Sequence, residues 1–124
     1  MASSYDQLGR IAEEWGDYEQ ALDWYRQSPT VFEELGNRAD MASTISQIGA
    51  LYTQTGRTTD AVAYNLRSLA IRADIRSPET RIDLHWLRQQ HQSLGDQEFQ
   101  RLLTDHLDAD SIDTVTGCLD QTND

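Results

Sequence analysis

The chain has 124 residues, a formal charge of -11 and one cysteine, Cys118, which suits one small domain with a modest core. All ten of its bases are arginine, against 21 acids, so phosphate backbones and anionic lipid repel it, and nucleic acid and membrane surfaces are poor partners. No apolar run approaches the roughly 18 to 20 residues that span a bilayer, no leader pattern follows Met1, and a lone thiol builds neither an internal disulfide nor a CxxC site; a cytoplasmic protein is the simplest reading.

Along the chain the first apolar stripe is Tyr5, Leu8, Ile11/Ala12 and Trp15, and the second is Ala21, Leu22, Tyr25, Ser28/Val31 and Leu35, both at helical spacing. Between them lies WGDYEQ: Gly16 can end one helix in the left-handed conformation, Asp17 can cap the next, and Gln20 stands where a capping box needs it. LGNRAD repeats that logic at Gly36 and Asn37. Pro29 falls inside the second helix, where it removes a hydrogen bond to Tyr25 at a cost of about 3 kcal/mol; a kink on the outer helix is expected there, with a hinge as the alternative.

Forty positions on, the pattern returns. Residues 1–35 and 41–75 share Met1/Met41, Ala2/Ala42, Ser3/Ser43, Gln7/Gln47, Gly9/Gly49, Gly16/Gly56, Ala21/Ala61 and Ser28/Ser68, and large apolar residues meet large ones, as in Leu8/Ile48, Ile11/Leu51 and Trp24/Tyr64. Small residues at Gly9/Gly49 and Ala21/Ala61 let two helices of a hairpin approach closely. Residues 1–36 and 37–76 therefore read as two repeated helical hairpins. Tyr5, Leu8, Gly9, Ala12, Ala21, Tyr25 and Ser28, then Ile45, Ile48, Gly49, Tyr52, Ala61, Asn65 and Ser68, fall on a spacing that resembles the tetratricopeptide repeat. The period is forty rather than the commoner figure of about 34, and the family proline after the second helix is absent, as in the longer variant of kinesin light chains and of the repeat regions of bacterial signalling ATPases. The resemblance implies an all-α, right-handed α-α superhelix.

It weakens after residue 76. Ser77 and Pro78 read as N-cap and first residue of a helix running to Leu94-Gly95, with Leu84, Leu87, His91 and Leu94 inward and Trp86 on the flank. Asp96 is expected to cap a further helix holding Phe99, Leu102, Leu103 and Leu107, although Gln100 stands where a small alanine belongs. Residues 77–107 make a degenerate third hairpin. Residues 108–124 place Ile112, Val115 and Leu119 on one face of a short acidic capping helix, which a solenoid needs in order to stop stacking, followed by a frayed QTND tail.

No catalytic, cofactor or metal set emerges. His85, His91 and His106 lack the spacing of a metal motif, Glu13/Glu14 and Glu33/Glu34 are neighbours rather than facing pairs, Cys118 has no nearby His to activate it, and no phosphate-binding glycine loop is present. What remains is surface. Residues 1–40 and 105–124 each carry a net charge of -6 and residues 41–104 carry +1, so any anion-attracting surface lies in the middle.

By the family resemblance, the first helix of each hairpin lines a concave groove: Ser3, Asp6, Gln7, Arg10 and Glu13; Ser43, Ser46, Gln47, Ala50 and Gln54; then Arg81, His85, Arg88, Gln89 and Gln92. The Lys/Asn carboxylate clamp of chaperone-binding members is missing. The arginines near residues 72–88 suit carboxylate capture, or they pair internally with Asp74, Glu79 and Asp83. The expected role is thus a non-enzymatic module that holds a protein or peptide segment in the groove, at the C-terminal end of a longer repeat protein. The alternative is a spacer or cap of a larger signalling protein that self-associates as a homodimer through an uncovered N-terminal face formed by Tyr5, Leu8 and Trp15.

Overall fold

The computed structural model describes residues 4–34 and 36–121, with side chains at 5–28 and 36–119. The helices there are α1 (Ser4–Glu14), α2 (Tyr18–Glu34), α3 (Arg38–Gln54), α4 (Thr58–Asp74), α5 (Thr80–Leu94), α6 (Asp96–His106) and α7 (Ala109–Gln121), and no strand occurs among the described residues. Each helix packs on the next, while α3 also reaches α5, α4 reaches α6 and α5 reaches α7. Stacking of this kind, in which each element touches only its near neighbours, is the all-α repeat architecture the sequence implied.

The connections follow from glycine. Gly16, Gly36 and Gly56 all have positive φ, and in the first and third of these turns the next two amides fold back on the helix end: Gly16 N–H to Glu13 O and Asp17 N–H to Ala12 O, Gly56 N–H to Thr53 O and Arg57 N–H to Tyr52 O. The entering helices are capped as expected at two sites. Asp17 Oδ1 accepts from Gln20 N–H at 3.2 Å, and Asn37 Oδ1 accepts from Asp40 N–H at 3.1 Å. After α4 the same fold-back is made without glycine: Arg76 sits at φ 56, with its amide on Ala73 O and that of Ser77 on Arg72 O. A left-handed arginine costs about 1–2 kcal/mol.

Two expected helix starts are corrected. Ser77 does not open α5, which begins at Thr80; its hydroxyl instead accepts from Glu79 N–H at 3.1 Å, and this local turn consumes Ser77 and Pro78 before the helix. Asp96 does not cap α6 either. Gly95 is the N-cap, without a side-chain bond, and Asp96 Oδ1 meets His91 Nε2 at 2.6 Å. Helix α2 continues through Pro29 to Glu34; Val31 and Leu35, assigned to its inner stripe, lie outside the described side chains, and the end of the QTND tail lies outside the described residues.

The core is laid down seam by seam. Ala21, Leu22 and Tyr25 of α2 are buried with Ile48, Leu51 and Tyr52 of α3, each large aliphatic contributing about 1.5–3 kcal/mol on full burial. Val62 and Leu66 of α4 meet Leu87 of α5 and Phe99, Leu102 and Leu103 of α6, and on this cluster rest Ile112, Val115 and Leu119. The apolar stripe of α7 thus packs partly buried against this cluster.

Candidate partner-binding groove

Close approach within each hairpin sets the site. A Cβ on Gly49 would stand 2.9 Å from Asn65 Cγ, so only glycine lets the Asn65 amide lie against α3. From there a chain of buried hydrogen bonds runs to α5. Asn65 Nδ2 donates to Asp83 Oδ1 at 3.0 Å, and Gln90 Nε2 donates to Asn65 Oδ1 at 2.8 Å and to Thr53 Oγ1 at 3.1 Å. Asp83 Oδ2 accepts from Arg72 Nη1 at 2.9 Å and lies 2.9 Å from the Ser68 hydroxyl, whose single proton is shared with Ala42 O at 3.0 Å. Asp83, Asn65, Ser68 and Gln90 are all fully buried. Mutual partners offset much of the desolvation cost that each would carry alone, although Gln90 Oε1 is buried without a partner.

Arg72, 3% exposed, floors the groove between α3 and α5. Besides Asp83, its Nη2 reaches Ser43 Oγ at 3.3 Å and Glu79 Oε2 at 3.4 Å. One guanidinium thus faces two carboxylates, so this floor has no positive charge left for a carboxylate ligand. The pairing left open in the sequence is internal for Arg72, while Asp74, one of the three acids considered, pairs with Arg38 instead. Above the floor lies a cavity of about 270 Å³ walled by Ser43, Ser46, Gln47 and Ala50 of α3, by Glu79, and by Ile82 and Trp86 of α5. Gln47 Oε1 and Arg72 Nε, on two residues that line it, are buried without a hydrogen-bond partner, as are Arg88 Nη2 and Gln90 Oε1 elsewhere on α5.

The other groove positions are more scattered. Gln7 and Arg10 of α1 and Gln54 at the end of α3 are exposed, as are Arg81, Gln89 and Gln92. His85 is exposed, with its ring 3.0 Å from Gln89 Nε2 and edge-on to Trp86. Arg88 is half-buried and donates through Nε to Leu119 O of α7 at 3.4 Å. Asp6 is buried, its carboxylate accepting from Thr44 Oγ1 at 2.9 Å and tying α1 to α3; Ser3 lies outside the described residues. Glu13 accepts from the Tyr25 hydroxyl at 3.0 Å. Burial, and then this carboxylate, raise the Tyr25 pKa above its usual value.

At the N-terminal face Tyr5 stacks on Trp24 at 6.0 Å, while Leu8 and Trp15 are exposed. Sequence reasoning missed Asp83 and Gln90 as buried anchors and Ile82 as a wall of the cavity. The available signal was the run of Asn65, Ser68 and Arg72 at helical spacing on α4, which requires a polar partner opposite it. Among the described residues no group of His, Cys, Asp and Glu is arranged to hold a metal, and no helix is long and apolar enough to cross a membrane.

Neither a curated protein nor a solved structure matches the chain. Residues 41–79 match one family model described as tetratricopeptide repeat, and residues 2–28 match another of the same description. Such repeats are protein–protein interaction scaffolds and are generally non-catalytic; typically they bind proteins or peptides on an extended concave surface. With glycine-spaced helices, a stacked all-α architecture and two matching repeats, the chain belongs to the tetratricopeptide repeat family.

Proposed function

We propose that the chain is a docking module that holds a segment of a partner protein between α3 and α5, and that it performs no catalysis itself. The observation carrying this reading is the cavity beside Trp86, where the Gln47 carbonyl oxygen is buried and unpartnered. An extended peptide would lie along Ser43, Ser46 and Gln47 and set an apolar side chain against Trp86 and Ile82. Arg10, Gln7 and Gln54 along one end, and Arg81, His85, Gln89 and Gln92 along the other, would supply outer contacts. Arg88, engaged with α7, would act from beneath.

Displayed random peptides selected on the wild-type chain provide the test. Selected peptides should lose about tenfold or more in affinity on Trp86→Ala together with Gln47→Ala, as truncation of a central aromatic anchor does, while circular dichroism stays unchanged. Peptides that bind the double variant equally well would refute the groove.

Self-association through Tyr5, Leu8 and Trp15 retains one supporting observation, the exposure of Leu8 and Trp15. The charge around those residues opposes it.

A further inference from the structure

We infer that the partner segment carries a basic residue, arginine above all, whose side chain fills the cavity between α3 and α5; this deepens the proposed function and rests on it. Glu79, which enters α5, and Ile82 and Trp86 on that helix all line the cavity. They fall at i, i+3 and i+7, so a carboxylate, an aliphatic side chain and an indole stand in one stripe. Facing them, Ser43, Ser46, Gln47 and Ala50 of α3 bring no charge.

Charge sets the sign of the occupant. The ionisable residues lining the cavity are Arg72 and Glu79, and Arg72 is already matched by the fully buried Asp83 at 2.9 Å. Glu79 is thus a carboxylate in surplus. It reaches Arg72 through Oε2 at 3.4 Å, longer than the roughly 2.7–2.9 Å of a strong ionic hydrogen bond, and its side chain is 53% exposed. Arg81 and His85 do not reverse this balance, because both are exposed and neither lines the cavity. A partner carboxylate would add a third negative group around one guanidinium. An apolar side chain would strip water from Glu79 and return nothing. A cation leaves the site neutral.

Shape selects among cations. At about 270 Å³ the cavity falls below the roughly 300–1,000 Å³ of a small-molecule site, so it holds one long side chain rather than a free ligand. Lysine and arginine both lay an alkyl stem on apolar surface while the head stays with polar groups. Here Trp86 and Ile82 take the stem and Glu79 takes the head. Arginine fits best, since its guanidinium brings five donors for Glu79 and the serine hydroxyls of α3, where an ammonium brings three.

The probes are the displayed peptides selected on the full wild-type chain. Each basic residue of a selected peptide is replaced in turn by a neutral counterpart, arginine by citrulline and lysine by norleucine, and binding is read by fluorescence anisotropy. At one position the loss should be about tenfold or more in affinity, the scale of one hydrogen-bonded charge. On Glu79→Gln that same replacement should cost nothing further. On Asp60→Asn, an equal change of charge in the first turn of α4, it should cost the full amount. Glu79 is exposed enough to be changed without disturbing Asp83, and circular dichroism checks that both variants fold. Peptides that need Trp86 and Gln47, yet hold no basic residue whose loss depends on Glu79, would overturn this inference and leave the docking module standing. An empty selection, or peptides indifferent to Trp86→Ala with Gln47→Ala, would overturn both.

Discussion

The first two hairpins place a glycine at the same position, Gly9 and Gly49, and fill the space above it in opposite ways. Over Gly9 lies the Tyr25 ring, which an added Cβ would meet at 2.6 Å; over Gly49 lies the Asn65 amide. The aromatic seam closes on itself: Tyr25 turns its ring to the core and its hydroxyl to Glu13. The amide seam opens outward, since Asn65 hands its hydrogen bonds to Asp83 and Gln90 of α5. The same sterically demanded gap thus serves as apolar filling in one hairpin and as the root of a buried network in the next. That network fixes where α5 stands against α3, and with it the groove wall.

The comparison breaks most sharply at Asp83. Asp83→Ala leaves the Arg72 guanidinium buried without its nearer carboxylate and should cost about 3–5 kcal/mol in urea unfolding. A paired change, Arg72→Met with Asp83→Leu, should recover only part of it, because the two charges leave together but the buried Asn65 amide loses its Asp83 acceptor. A cost below about 1 kcal/mol for Asp83→Ala, the range of an exposed ion pair, would show that the seam is not locked.

Next in size are the glycines. Overpacking costs about 1–3 kcal/mol, offset by about 1 kcal/mol of helix propensity on going to alanine. Gly49→Ala should be the worse of the two, since the Asn65 amide is pinned by two buried partners. Adding Asn65→Ala should relieve the clash, visible as strong non-additivity in a double-mutant cycle.

The smallest effect belongs to Tyr25→Phe, about 0.5–1.5 kcal/mol for one hydrogen bond. Its pH dependence is more telling. Burial raises the Tyr25 pKa in the folded chain, and the bond to Glu13 raises it further, so the folded state holds the phenolic proton more tightly than the unfolded state. The stabilisation is complete below the ordinary tyrosine pKa of about 10 and is lost as pH climbs past it. Thermal unfolding should show wild-type stability falling above that pH more steeply than that of Tyr25→Phe; parallel curves would count against a buried phenol.

Local chemistry was the most legible part of the sequence. Gly16 with Asp17, and Gly36 with Asn37, announce their turns because cap and glycine act within one helical turn. Less visible was anything requiring knowledge of what lies opposite. The sequence offered Asp83 only as one of three possible arginine partners and gave no sign of Gln90, because a carboxylate or amide is buried only when partners reach it, and those partners sit on a different helix. Ser77-Pro78 looked like a helix start, yet the hydroxyl bonded two residues on and delayed α5. The later start left the inward face at Leu84 and Leu87 unchanged.

The network at Asp83 also has a mechanical meaning. Apolar contact between α2 and α3 is non-directional and yields gradually as surfaces slide, whereas the bonds joining Arg72, Asp83, Asn65 and Gln90 weaken steeply with misalignment. Pulled along its length, this stack would give first in its apolar seams and hold longest where directional bonds cross between helices, most densely beside the groove between α3 and α5.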